Sequence, residues 1–82
     1  MSDKFPQLPF KKVRRVLEHL GCIFRQKPKG SHYRFYYKSR AATIEDKGKT
    51  EIPEGTVRGA LRDVRISRKE YIQAYKEVFK KK

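Results

Sequence analysis

The sequence predicts an α+β domain: a three-stranded antiparallel sheet with helices packed on one face, in the order α-β-β-β-α-α. Three observations carry this. Three segments repeat apolar residues at helical spacing. Residues 31–38 alternate in the manner of a half-buried strand. The strand-like stretches are joined by short turns, which makes an antiparallel meander the economical arrangement. Helices with one apolar stripe each cover one face of such a sheet and leave the other wet.

Residues 1–9 carry Pro6 and Pro9 and little periodicity, so an irregular arm with a foothold at Phe5 or Leu8 is expected, with Pro9 in the first turn of the helix that follows. That first helix spans residues 10–20. Val13, Val16, Leu17 and Leu20 form its stripe, and Lys11, Lys12, Arg14, Arg15 and Glu18 take the other faces. Gly21 is placed to end it in a left-handed conformation. His19 lies off the stripe and is expected to be exposed.

Residues 22–26 read as a short strand, with Cys22 and Phe24 on one side and Ile23 and Arg25 on the other. Lys27-Pro28-Lys29-Gly30 is a turn. In the second strand, residues 31–38, Tyr33, Phe35 and Tyr37 share one face; His32, Arg34 and Tyr36 share the other. Ser39-Arg40 turns the chain into a third strand, residues 41–45, with Ala42 and Ile44 facing one way. A polar stretch leads to Gly55-Thr56, where a second helix is expected to open with Thr56 as cap and Val57, Ala60, Leu61 and Val64 as its stripe. Gly59 weakens that helix by about 1 kcal/mol relative to Ala; either it admits the close approach of another backbone or the cost is simply tolerated. Ser67 and Glu70 have the spacing of a capping box. A third helix, residues 68–79, should bury Tyr71, Ile72, Tyr75, Val78 and Phe79, leaving three lysines as a basic tail. The domain organisation expected is therefore an arm (1–9), one domain (10–79) and a tail (80–82).

Eighty-two residues make one small domain with a thin core, and Cys22, the only cysteine, cannot form a disulfide within it. A single thiol suits a reducing compartment. No apolar run approaches the roughly 20 residues of a membrane span, and the N-terminus lacks the pattern of a secretory signal. A cytoplasmic protein, monomeric when free, is the expectation.

Charge narrows the class further. Twenty-two Lys and Arg against nine Asp and Glu give a net charge of +13. A surface so basic attracts nucleic acid by releasing condensed counterions. A lysine-rich membrane-surface binder is the competing reading, but no helix has the interfacial pattern. Two histidines and one cysteine, none at ligand spacing, argue against a metal site, and no cofactor is expected. No phosphate-binding glycine loop is present. Cys22 follows a helix C-terminus, which raises a thiol pKa, so a buried thiol is expected rather than a nucleophile.

His32 is the residue with chemistry to offer. An imidazole titrates near neutrality. Beside Lys27, Lys29 and Arg34, at a strand start reached through Gly30 and Ser31, it would stand where a phosphate is already attracted. RNA carries its own nucleophile, the 2′-hydroxyl. A base in reach could deprotonate that oxygen for in-line attack on the adjacent phosphorus, with cations stabilising the transition state. The products would be a 2′,3′-cyclic phosphate and a 5′-hydroxyl, and no metal is needed. Tyr36, on the wet face, is a candidate to stack a base. The phosphate-contacting set is thus Lys27, Lys29, Gly30, Ser31, Arg34 and Tyr36, with His32 as general base. The same surface also suits a non-catalytic module reading A-form RNA, in which His32 only contacts phosphate. A third reading is a positive face that docks an acidic protein.

The helix ending in Gly21, Gly30-Ser31-His32 followed by Phe35, Gly55-Thr56-Val57 opening a helix, and Ile66-Ser67 near its end stand in an order and spacing that resemble the HicA (YcfA-like) toxins, small ribonucleases of toxin–antitoxin pairs. The resemblance covers roughly residues 10 to 72. It implies a fold similar to the double-stranded RNA-binding domain, cleavage of messenger RNA with His32 at the family's catalytic position, and neutralisation by an acidic HicB-like antitoxin. The chain departs from many relatives after the third strand, where Ile44-Glu45-Asp46-Lys47-Gly48 contains no histidine, and it has a single histidine after Gly-Ser.

Overall fold

A computed structural model describes residues 5–25 and 30–79. They form helix α1 (Phe10–Leu20), strands β1 (Ile23–Phe24), β2 (His32–Tyr37) and β3 (Arg40–Glu45), and helices α2 (Glu54–Asp63) and α3 (Arg68–Phe79). The sheet is antiparallel with β2 in the centre, so the α-β-β-β-α-α meander expected from the turns is the one observed.

The helices supply the apolar layer. Phe10, Val13, Val16 and Leu17 are the buried residues of α1; Leu20 is half-buried. Phe10 meets the sheet directly, its ring 5.9 Å from Phe24 and 4.6 Å from Tyr33. Helix α2 packs on β3 and buries Val57, Ala60 and Leu61. Helix α3 packs on α1 and buries Tyr71, Ile72 and Ala74. Tyr75 and Phe79 only border the core. The buried stripe of α3 therefore runs through Ala74 rather than through Tyr75 and Phe79.

Two helix ends show one backbone solution with different residues. At the end of α1 the amides of Gly21 and Cys22 bond back to Glu18 and Leu17, with Gly21 at φ 108°. At the end of α2 the amides of Arg65 and Ile66 bond back to Arg62 and Leu61, and Arg65 takes φ 64°. The left-handed residue closes the last turn in both; glycine does so without steric strain, arginine does not. The capping box forms as expected: Glu70 N–H donates to Ser67 Oγ at 3.0 Å, and Ser67 N–H to Glu70 Oε1 at 2.8 Å.

Several boundaries differ from expectation. Helix α2 starts two residues before Thr56 and has no side-chain cap; its first turn closes on the Pro53 carbonyl. Pro9 flanks α1 in extended conformation rather than lying in its first turn. The β2–β3 turn is Lys38-Ser39, with Lys38 at φ 55°, and Arg40 already belongs to β3. Among the described residues nothing outside its own helix approaches within 4 Å of where a Cβ on Gly59 would stand, so close backbone approach does not explain that glycine and its cost is simply tolerated. Phe5 and Leu8 are both buried: Phe5 stacks on Tyr71 at 5.2 Å, and Leu8 accepts a backbone bond from Ile52. That stretch of the arm is part of the core.

Candidate active site on the open sheet face

The face of the sheet turned away from the helices is built by strand alternation alone. Phe24, Phe35, Ala42 and Ile44 are buried on the helix side. Their neighbours Ile23, Arg25, His32, Arg34 and Thr43 are exposed, and Tyr36 and Glu45 are half-exposed. Ile23, at 66% exposure, marks the face as uncovered.

His32 stands at the first position of β2, exposed, as the alternation required. Gly30 precedes it at φ 64°, a conformation that a side chain adopts only with strain. Ser31 is half-buried and donates its hydroxyl proton to Glu45 Oε2 at 3.2 Å. Lys27 and Lys29 lie outside the described residues.

Sequence reasoning did not select Glu45. The register pairs His32 with Glu45, and the Asp46 N–H donates to the Ser31 carbonyl at 2.7 Å. This pattern makes His32–Glu45 a non-hydrogen-bonded pair, the kind whose Cα atoms approach to about 4.5 Å and whose side chains leave the same face together. Lys47 Nζ lies 3.8 Å from Glu45 Oε1. The imidazole therefore has a carboxylate residue as its cross-strand neighbour, and that carboxylate has a lysine near its Oε1.

Farther along the same face a cationic aromatic cluster forms. Arg34 Nε donates to the Tyr36 hydroxyl at 3.0 Å. The guanidinium groups of Arg25 and Arg34 lie 5.1 and 5.5 Å from the centre of the Tyr36 ring. Hydrogen bonding from Arg25 first, then from Arg34 with the charges of both, pulls the Tyr36 phenol below its ordinary value. Arg25 is the second residue that sequence reasoning left out of the site. It comes beside Arg34 through the β1–β2 register, where its N–H bonds the Arg34 carbonyl at 3.1 Å. Tyr36 lies four residue steps along the strand from His32, about 13 Å at strand rise.

On the other side of β2, a groove of about 730 Å³ runs between the first turns of α1 and the turn after β3, with Lys11, Arg14, Tyr33 and Lys49 on its walls. Cys22 is buried, and loss of solvent pushes its thiol up to about 11, so it offers no nucleophile at neutral pH. Among the described residues no three His, Cys, Asp or Glu side chains gather to hold a metal ion, and no helix is long and apolar enough to cross a membrane. His19, exposed as expected, closes α1 onto α3 through Glu77 at 2.8 Å.

Fold and face together define a small basic α+β domain whose open sheet concentrates an imidazole, guanidinium groups and a phenol. The family described as HicA toxin of bacterial toxin–antitoxin matches residues 10–66, more than half of the chain and all of α1 through α2. The chain belongs to the HicA toxin family. Helix α3 lies beyond the matched region. No curated protein matches the chain.

Proposed function

We propose that this HicA-family toxin is a messenger RNA endonuclease in which His32 is the general base. The observation that carries the reading is the exposed imidazole at the head of β2, on an uncovered face shared with Arg25, Arg34 and Tyr36. RNA laid along β2 brings a ribose 2′-hydroxyl to His32. The imidazole takes that proton as the 2′-oxygen bonds to phosphorus. The bond from phosphorus to the 5′-oxygen breaks, and the leaving oxygen takes a proton from solvent. The products are a 2′,3′-cyclic phosphate and a 5′-hydroxyl. The substrate brings its own nucleophile, so a metal is not required. Arg34, with Arg25, Lys27 and Lys29, holds phosphates; Gly30 and Ser31 shape the strand entry. The guanidinium-covered Tyr36 offers a stacking surface, since arginine planes and aromatic rings both accept bases. The family's pairing of toxin with antitoxin supports an acidic, HicB-like partner that covers this face.

The test is RNA cleavage in EDTA by the wild-type chain beside His32→Ala. Removing a general base should lower the rate about 10²–10⁴-fold while leaving RNA binding nearly intact. Undiminished cleavage by His32→Ala would remove His32 from the role. Salt-sensitive binding with no cut product from either protein would favour the non-catalytic RNA-binding module instead.

A further inference from the structure

We infer that Glu45 is a positioning residue for His32, a fixed negative charge that favours the imidazole at the moment it accepts the ribose proton. The inference rests on the reading of His32 as base. It is carried by the strand register and two contacts.

His32 and Glu45 are partners across β2 and β3 in the close, non-hydrogen-bonded arrangement. A carboxylate so placed on an exposed face ordinarily samples many rotamers. Here it is held from two sides. Ser31 Oγ donates to Oε2 at 3.2 Å, and Lys47 Nζ stands 3.8 Å from Oε1. Ser31 immediately precedes His32, and Lys47 follows Glu45 by two residues. One hydroxyl bonds the partly exposed carboxylate and one ammonium stands near it, on the face and at the register position that His32 shares.

The other groups around His32 do not substitute for it. On β2, Arg34 is cationic and engaged with Tyr36. On β3, Thr43 is neutral. In the turn after β3, Asp46 is committed to the Gly48 amide at 2.8 Å. Glu45 is therefore the anion whose position is set by the same pairing that sets His32.

The chemistry gives it a use. As the 2′-proton moves to the ring, the imidazole becomes a cation, and a neighbouring carboxylate stabilises that cation more than it stabilises the neutral ring of the ground state. No bond to Glu45 forms or breaks; the proton passes from the 2′-oxygen to His32 and then to solvent. A carboxylate beside an RNA-binding surface also repels phosphate, and Lys47 near Oε1 offsets that repulsion locally.

The test compares wild type, Glu45→Gln, His32→Ala and the double variant on one oligoribonucleotide, with melting curves as a check on folding. Glutamine retains an oxygen for Ser31 and removes the charge, so geometry and charge are separated. Glu45→Gln is expected to lower kcat about tenfold without raising KM, the scale of removing one partly solvated charge interaction from the transition state. Glu45→Asp should recover part of that activity. In the His32→Ala background, Glu45→Gln should cost nothing further, because its effect runs through the imidazole. Wild-type kcat in Glu45→Gln, with His32→Ala inactive, overturns the inference and leaves the His32 reading standing. A further tenfold fall in the double variant also overturns it, since Glu45 would then act without the histidine. Full activity in His32→Ala removes the reading beneath both.

Discussion

The two faces of β2 are fixed by different physics. On the helix side Phe35 is fully buried and stacks on Phe24 at 5.0 Å, while Tyr33 lies against Phe10. On the open side Arg34 bonds the Tyr36 hydroxyl, Arg25 lies over the Tyr36 ring, and His32 stands across the ladder from Glu45. The first face is specified residue by residue, since an apolar side chain has one favourable direction. The second is specified by pairing, since each charge acquires its meaning from whatever stands across the ladder. A fold can therefore keep the first while the second changes with very few substitutions.

The largest effect that separates the faces is truncation of Phe35. Phe35→Ala should destabilise the domain by about 3–5 kcal/mol, transfer and cavity terms together, seen as a large fall in the urea midpoint. In a domain this small, that is a large share of a total stability of about 5–15 kcal/mol. Arg34→Ala, one residue away, should stay within about 0.5 kcal/mol of wild type. If both variants unfolded equally, the division between the faces would be wrong.

The same division explains what was legible in the sequence. Val13, Val16, Leu17, Phe24, Phe35, Ala42, Ile44, Val57 and Leu61 are buried as their spacing required. The order of elements follows from that spacing and from short turns, and the exposure of His32 follows from Phe35. Glu45 and Arg25 were not legible as site residues, because each joins the site through register. The β2–β3 register depends on a two-residue turn in which Lys38, not glycine or asparagine, takes the positive φ of 55°. Arg65 hides the end of α2 in the same way, adopting without a glycine the conformation that Gly21 announces at α1. The start of α2 was not legible either: Thr56 is a good cap by type, whereas the backbone of Pro53 closes the turn.

A second prediction sharpens the open face alone. Arg25→Ala and Arg34→Ala should each weaken RNA binding and reduce the slope of log affinity against log salt by about one, as expected when one phosphate is no longer neutralised. The double variant should reduce it by about two. An unchanged slope in Arg25→Ala would confine that guanidinium to holding Tyr36.

The smallest and most discriminating comparison is between two tyrosines. Tyr71 lies in the core, fully buried, and its hydroxyl has no hydrogen-bond partner among the described residues. Burial, and then Tyr75, push its phenol up from the ordinary 10.0. Tyr36, on the open face, is pulled down from the same 10.0, by Arg25 first. An alkaline titration followed by tyrosinate absorbance should therefore show Tyr36 ionising first and Tyr71 last. Arg25→Gln should move the first step up and leave the last in place; no movement would separate Arg25 from the phenol.

The two shifts act on stability with opposite signs. A phenol raised in the folded state favours unfolding once the pH climbs past the unfolded value, because the unfolded chain then ionises more readily. Tyr71 thus promotes alkaline unfolding. Tyr36, lowered in the folded state, opposes it in that range, and neither matters at neutral pH. Tyr71→Phe keeps the ring against Phe5 and removes the unpaired hydroxyl. It should be neutral or stabilising by up to about 1 kcal/mol at neutral pH, and it should extend the folded range upward in alkali. A destabilisation of more than about 1 kcal/mol at neutral pH would mean that the hydroxyl does have a partner, and that the helix-facing layer, like the open face, depends on a polar contact.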